Sequence, residues 1–188
     1  MALRQLVAAA SCLVSVSATA QTFDINLSND AAMLTYMSAL GQQGFGHGQL
    51  AGSVLFTDND AFMGKLGFGV VGDAGSGSPG LTVGVGVNLY GVTTNNNDDV
   101  AALALSGKFD YAPPPVPRLR FGGEINLAPS IVTFVDGDHL YDSSVYLGYE
   151  IFQEAVAYFG YRNIKVRVQN HHDDTVDSGG YVGIKFRF

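Results

Sequence analysis

The sequence has one cysteine, no tryptophan and no long apolar run beyond residue 20. A single cysteine excludes an intrachain disulfide framework and a zinc site with two or more Cys ligands. A transmembrane helix requires about 20 consecutive apolar residues, and the segment after residue 20 offers no such stretch. Lysine and arginine number 10 against 17 acidic residues, so the chain is a poor candidate for binding nucleic acid.

The first 20 residues have the three regions of a secretory signal peptide in the expected order. Arg4 supplies a positive charge, residues 6–17 are mostly apolar, and Ala18 and Ala20 form an A-x-A cleavage pattern. The apolar stretch is too short to span a bilayer. We therefore predict that residues 1–20 are cleaved off, which leaves residues 21–188 as one domain with nine basic and 17 acidic residues, a net charge of −8.

Cys12 lies inside this predicted signal peptide. A lipoprotein acylation site would carry a leucine three residues earlier, where Ala9 stands, and the apolar run continues past the cysteine. We therefore expect Cys12 to be discarded with the signal, so that the mature chain has no thiol nucleophile.

Apolar and polar residues alternate along most of the mature chain, which is the pattern of strands with one apolar face. The pattern predicts ten strands, at 22–28, 32–40, 49–57, 61–72, 80–90, 100–111, 118–127, 141–151, 155–168 and 181–188. Many approach the 9–11 residues of a tilted membrane strand. Asn- and Asp-rich turns at 28–31 and 57–60 join strands in two similar hairpins and favour an up-and-down meander. The alternation slips near Arg162 and Asn163, which predicts a bulge there.

Charged residues occupy the polar faces near the middle of several strands. In a membrane barrel those faces enclose the lumen, where opposite charges can pair. The predicted lumen charge ladder comprises Lys108, Asp110, Arg118, Arg120, Glu124, Glu150, Arg162, Lys185 and Arg187. A soluble β-sandwich or lipocalin-like barrel also has alternating strands, but it would turn its apolar faces inward. The charges favour an all-β, antiparallel up-and-down transmembrane β-barrel of about ten strands, with eight as the alternative.

The connections support this fold if the N-terminus is periplasmic. The predicted outer loops 91–99, 129–139 and 170–179 are long and acidic, whereas the inner connections 112–117 and 152–154 are shorter. Long outer loops and short periplasmic turns are typical of outer-membrane barrels.

Several segments of the mature chain resemble the YfaZ family of small bacterial outer-membrane proteins. They are "FDINLSNDAAMLTY", "GSVLFTDNDAFMGKLGFGV", "NLAPSIVTF", "AYFGYRNIKV" and the terminal "GIKFRF". The resemblance implies a β-barrel in a Gram-negative outer membrane, in contact with its lipid and lipopolysaccharide. It carries over no substrate, reaction or catalytic residue.

The last strand resembles the signal that the barrel-assembly machinery reads in outer-membrane proteins. Its apolar face consists of Val182, Ile184, Phe186 and Phe188. We expect the first three to face lipid and Phe188 to lie at the periplasmic boundary. A transient contact with the assembly machinery is therefore expected, and we expect the assembled protein to be a monomer.

Two motifs indicate other chemistry only weakly. "GFGVVG" at 67–72 matches G-x-G-x-x-G, but no helix start follows it, as a dinucleotide site requires. "NHHDD" at 170–174 offers metal ligands, yet adjacent histidines on a strand point to opposite faces. We expect no cofactor and no metal.

Three functions remain open. The leading hypothesis is a structural or surface-interaction role, without enzymatic activity, in a barrel whose lumen is closed by paired charges. A small channel or porin for small solutes, anionic ones among them, is the second. The third is a lipid A-modifying enzyme, which would need a Ser–His pair such as His139 with Ser143 or Ser144 brought together by the fold.

Overall fold

A computed structural model describes residues 21–43, 46–59, 61–94, 99–135, 137–168 and 172–188. For residues 42, 43, 168, 172 and 173 only the backbone is described. The predicted cleavage residues Ala18 and Ala20 lie outside these ranges. No helix in the described part is long and apolar enough to cross a membrane.

The described chain forms a closed antiparallel barrel of ten strands, as the alternation predicts. The strands are β1 (Gln21–Ser28), β2 (Ala31–Gln43), β3 (Gly46–Thr57), β4 (Phe62–Asp73), β5 (Leu81–Thr93), β6 (Asp99–Tyr111), β7 (Leu119–Ala128), a short β8 (Thr133–Val135), β9 (Gly137–Phe152), β10 (Ala155–Val168) and β11 (His172–Arg187). Sequence neighbours pair along the wall, and β1 pairs with β11 to close it. Backbone hydrogen bonds between Gln21 and Phe188 complete this seam, so both described termini lie at one end, here called the terminal end.

One wall position is built from two strands. β7 pairs with β6 as far as Leu127 opposite Leu105, and β8 resumes that pairing with Thr133 opposite Ala102. The residues between them form a 3₁₀ turn, Ser130–Val132, from which Ile131 projects almost fully exposed. β8 therefore continues the line of β7 and does not add an eleventh strand to the barrel wall.

The outer surface is apolar around the barrel. Most outward residues in the strand centres are aliphatic, aromatic or glycine, and Val85 and Leu105 are 71% and 69% exposed. Soluble monomers rarely expose a continuous apolar patch larger than a few hundred Å². An apolar band around the whole circumference is the surface of a barrel that faces lipid.

Two expectations from the sequence are wrong. The bulge lies two residues further along, between Ile164 and Lys165, and the extra residue is Val176 on β11. The loops do not sort by length, because β9 and β11 begin at Gly137 and His172, inside the predicted outer loops. The terminal-end connections 74–80 and 112–118 are also as long as the opposite ones.

Candidate functional site

The lumen is the candidate site, and its half away from the termini is filled by apolar side chains. Leu55, Met63, Ile164 and Val166 have no exposed surface, and Leu140 has 2%. These residues belong to one cluster, here called the apolar plug, to which nine of the ten full-length strands contribute. Its members are Ala31, Met33, Leu55, Ala61, Met63, Tyr90, Val92, Val100, Ala102, Ala104, Ala128, Leu140, Ile164, Val166 and Val176. Protein interiors pack as densely as organic crystals, and the cluster places buried apolar side chains across that half of the lumen.

A network of charged and amide side chains lies next to the apolar plug. Lys65 Nζ on β4 is 3.0 Å from Glu124 Oε1 on β7 and 3.7 Å from Asp142 Oδ2 on β9. Asn126 Nδ2 donates to the same Glu124 oxygen at 2.8 Å. The Tyr90 hydroxyl donates to Asp142 at 2.7 Å. The contacts of Lys65 and Tyr90 join strands that are three or four positions apart around the barrel, so they connect its walls across the interior.

Arg162 forms a second bridge on the other side of the lumen. Its Nη2 lies 2.5 Å from Asp177 Oδ2 on β11, and its Nη1 donates to Asn26 Oδ1 on β1 at 2.7 Å. Arg162 is 3% exposed. A buried charge is tolerated where an opposite charge and further hydrogen bonds satisfy it, and both conditions hold here.

A third group of charges lies near the terminal end. Arg120 Nη1 is 2.5 Å from Asp110 Oδ1, and its Nε is 3.7 Å from Glu150 Oε2. Lys185 Nζ is 3.8 Å from Asp24 Oδ2. These pairs line the walls and do not fill the cross-section.

The rings of three tyrosines, Tyr146, Tyr158 and Tyr181, contact one another along one wall of the lumen. The rings of Tyr146 and Tyr158 lie against Gly122 and Gly183, and a β-carbon at either glycine would come within 2.5 Å of a ring atom. Only glycine allows this close approach. The hydroxyls of these two tyrosines donate to Asp110 and Asp24, so the rings are fixed flat against the wall and leave space in front of them.

That space is a cavity of about 540 Å³ in the terminal half of the barrel. Its lining reaches Thr22, His47, Thr82 and Arg187, which lie at or next to the ends of their strands. In the other direction it reaches the Lys65 network and two members of the apolar plug, Met33 and Ile164. The cavity therefore lies between the terminal end and the apolar plug.

The structure places eight of the nine predicted ladder residues on the inner face. Arg118 is the exception, because it is exposed in the turn just before β7. Within the ladder, Arg120 pairs with Asp110 and Glu150 on the two neighbouring strands. Glu124 pairs instead with Lys65, a residue whose polar-face position was visible in the sequence but whose partner was not.

The residues of the predicted assembly signal lie along β11 and just after it. Val182 and Phe188 are largely exposed and Phe186 is exposed to a lesser extent, whereas Ile184 is half-buried. Lys185 and Arg187 line the cavity on the opposite face. The apolar residues of the predicted assembly signal therefore lie on the outer face of the closing strand.

We expect Phe188→Ala to impair assembly into the outer membrane while signal cleavage proceeds normally. The substitution removes the ring and keeps the two backbone hydrogen bonds to Gln21, so the seam itself is not broken. Heat-modifiable migration on gels measures the assembled fraction. Phe152→Ala is the matched control, because Phe152 is an equally exposed phenylalanine at the terminal end of β9. Equal assembly of both variants would contradict the role given to Phe188.

The remaining motifs fall in places that carry no site. "GFGVVG" is part of β4 and continues into the 74–80 connection, with no helix after it. In the NHHDD segment, Asn170 and His171 lie outside the described residues. Within the described ranges, no three His, Cys, Asp or Glu side chains are grouped as metal ligands. His139 is exposed and lies 2.8 Å from Asp138.

Solved outer-membrane proteins resemble the barrel only distantly. The KdgM porin is 13% identical, with 90% of this chain and 99% of that chain covered and a TM-score of 0.46. The NanC porin, in a rhombohedral crystal form, is 10% identical, with 89% of this chain and 98% of that chain covered and a TM-score of 0.48. The outer membrane channel DcaP of Acinetobacter baumannii is 12% identical, with 89% of this chain and 62% of that chain covered and a TM-score of 0.47. Likeness at this level transfers no function.

No curated protein sequence matches the chain. A family model described as YfaZ precursor matches residues 1–188, which confirms the resemblance seen in the sequence. The precursor, with its signal peptide, and the barrel with its apolar outer surface together place the mature protein in the outer membrane. The chain belongs to the YfaZ family of outer-membrane β-barrel proteins.

Proposed function

We propose that this protein is a non-conducting outer-membrane barrel with a structural or surface-interaction role. One observation carries the proposal: the apolar plug fills the half of the lumen away from the termini. A channel needs a continuous polar or hydrated path, and apolar constrictions prevent conduction by excluding water. A barrel of about ten strands is narrow enough for its own side chains to fill it.

The Lys65 network supports the same proposal. Its partners come from β4, β7 and β9, so it braces the wall from within. Opening the lumen would require these pairs to separate as well as the plug to move. The small-channel alternative therefore needs a second arrangement of both layers, and the lipid-modifying alternative needs a catalytic pair at the outer rim. Neither has an observation that favours it over the closed barrel.

Conductance in planar bilayers tests the proposal. Purified wild-type protein should give no steady openings. The double variant Leu55→Ser with Ile164→Ser should give measurable openings, because it places hydroxyls in the plug and allows water to enter. Leu105→Ser, on the lipid-facing side, is the matched control and should remain silent. Steady openings from the wild-type protein would show that the barrel is a channel.

A further inference from the structure

We propose that the cavity in the terminal half of the lumen binds a small oxyanion, one that carries carboxylate or phosphate groups. With the N-terminus on the periplasmic side, the cavity opens to the periplasm. Its volume of about 540 Å³ lies within the range of small-molecule sites, roughly 300–1,000 Å³. The proposal does not depend on whether the barrel conducts, because a closed or an open lumen can hold a ligand at this place.

The first argument is the distribution of charge. The whole sequence contains 10 basic and 17 acidic residues. Six of the basic residues line the cavity, against four of the acidic ones, Asp24, Asp110, Glu124 and Asp142. Two more carboxylates, those of Glu150 and Asp177, pair with Arg120 and Arg162 from outside the lining. The cationic members are Lys65, Lys108, Arg120, Arg162, Lys185 and Arg187. An acidic protein thus concentrates its cations around one concave surface, and walls of low dielectric focus the resulting field on an entering anion.

The second argument is that, among the described residues, two of these cations form no direct ion pair. Lys108 on β6 donates to the Gln49 side chain on β3, and within the described ranges neither Lys108 nor Arg187 forms a salt bridge. An unpaired cation that is partly removed from water costs free energy, which an anion bound beside it offsets. Arginine also has the planar donor geometry that suits carboxylate and phosphate oxygens.

The third argument is that the wall leaves room for a ligand beside these cations. Gly84 lies on β5 next to Lys108, and a β-carbon at Gly84 would come within 2.8 Å of Lys108 Cε. Gly67, Gly69 and Gly86 also line the cavity, so this side of the lumen has almost no side chains. The flat tyrosine rings form the opposite side. The cavity therefore has space because glycines form one wall and hydrogen bonds keep the tyrosine rings flat against the other.

Calorimetric titration of the mature protein in detergent at low salt tests the proposal. Citrate and inorganic phosphate serve as separate probes, and glycerol serves as the neutral control. We expect saturable binding of at least one anion, and the stronger of the two identifies the preferred group. Lys108→Gln and Arg187→Gln should each weaken binding about tenfold, the size expected for one charge-assisted hydrogen bond. Arg118→Gln is the matched control, because Arg118 is exposed at the same end but does not line the cavity.

A second measurement needs no knowledge of the ligand. Ser106 lines the cavity, and the mature chain has no cysteine of its own if Cys12 is removed with the signal. A Ser106→Cys variant should react faster with a negatively charged methanethiosulfonate than with a positively charged one. The preference should disappear in the Lys108→Gln, Arg187→Gln background, and heat-modifiable migration would show that the barrel is folded.

Three results would overturn the proposal: no saturable binding of either anion, binding that the two substitutions leave unchanged, or a thiol at position 106 that shows no preference for the anionic reagent. Conductance recorded without added ligand reports separately on the closed lumen. Failure of the anion-binding proposal is therefore distinguishable from failure of the proposal that the barrel does not conduct.

Discussion

Lys65→Met should destabilise the barrel by about 3 kcal/mol, at the lower end of the cost of removing one partner from a buried ion pair. The substitution keeps most of the volume and leaves Glu124 and Asp142 facing each other without a cation between them. Asp142 is buried, so its charge has little access to water. The lower end of the range applies because the Glu124 side chain is 31% exposed and keeps its hydrogen bond from Asn126. Urea unfolding in detergent, followed by heat-modifiable migration, measures the change.

Lys165→Met is the matched control for this experiment. Lys165 is exposed on the outward side of β10, so its loss should change the free energy of unfolding by no more than about 0.5 kcal/mol. Adding Glu124→Gln to Lys65→Met should recover part of the lost stability, since one of the two unpaired charges is then removed. If Lys65→Met costs no more than Lys165→Met, the network does not brace the barrel.

The fold was predictable because lipid and lumen impose different chemistry on the two faces of every strand. Phe121 and Ile125 alternate with Arg120 and Glu124 in β7, and a period of two needs no knowledge of the neighbouring strands. The same local pattern gave the strand number and the resemblance to the YfaZ family. Strand ends were less certain: Arg118 continues the alternation but lies one residue before β7 begins.

The apolar plug was not predictable because alternation distinguishes two faces but not the height along the lumen. In β10, Arg162, Ile164 and Val166 all point inward. The sequence shows this change from polar to apolar as a slip in parity, and we therefore expected a bulge at Arg162 and Asn163. A change of residue type along one unbroken face was the signal that could have revealed the plug.

The ion-pair partners were not predictable for a related reason. Lys65 and Glu124 are 59 positions apart in the sequence and lie on strands that are not neighbours. Which side chains meet across the lumen depends on strand tilt and on the register of every intervening pair. Neither quantity is encoded in the alternation of a single strand.

Val85→Arg should destabilise the membrane-inserted barrel by about 2–4 kcal/mol, the cost of an arginine on the lipid face near the bilayer midplane. Val85 lies in the middle part of β5, and 71% of it is exposed on the outer surface. Because most of Val85 is exposed, a longer side chain can extend away from the barrel wall. The expected cost therefore comes from moving a guanidinium into hydrocarbon, and folding titrations in lipid vesicles measure it.

Leu81→Arg is the control at a different depth. Leu81 is the first residue of β5 and lies on the same outer face as Val85. Close to the interface an arginine costs about 0–1 kcal/mol, because it reaches the head groups. On a barrel surrounded by water both substitutions would stay within about 0.5 kcal/mol of the wild type. A large cost at Val85 with a small one at Leu81 requires a hydrocarbon layer around the centre of the strands, whereas equal costs would mean that the apolar outer surface does not face lipid.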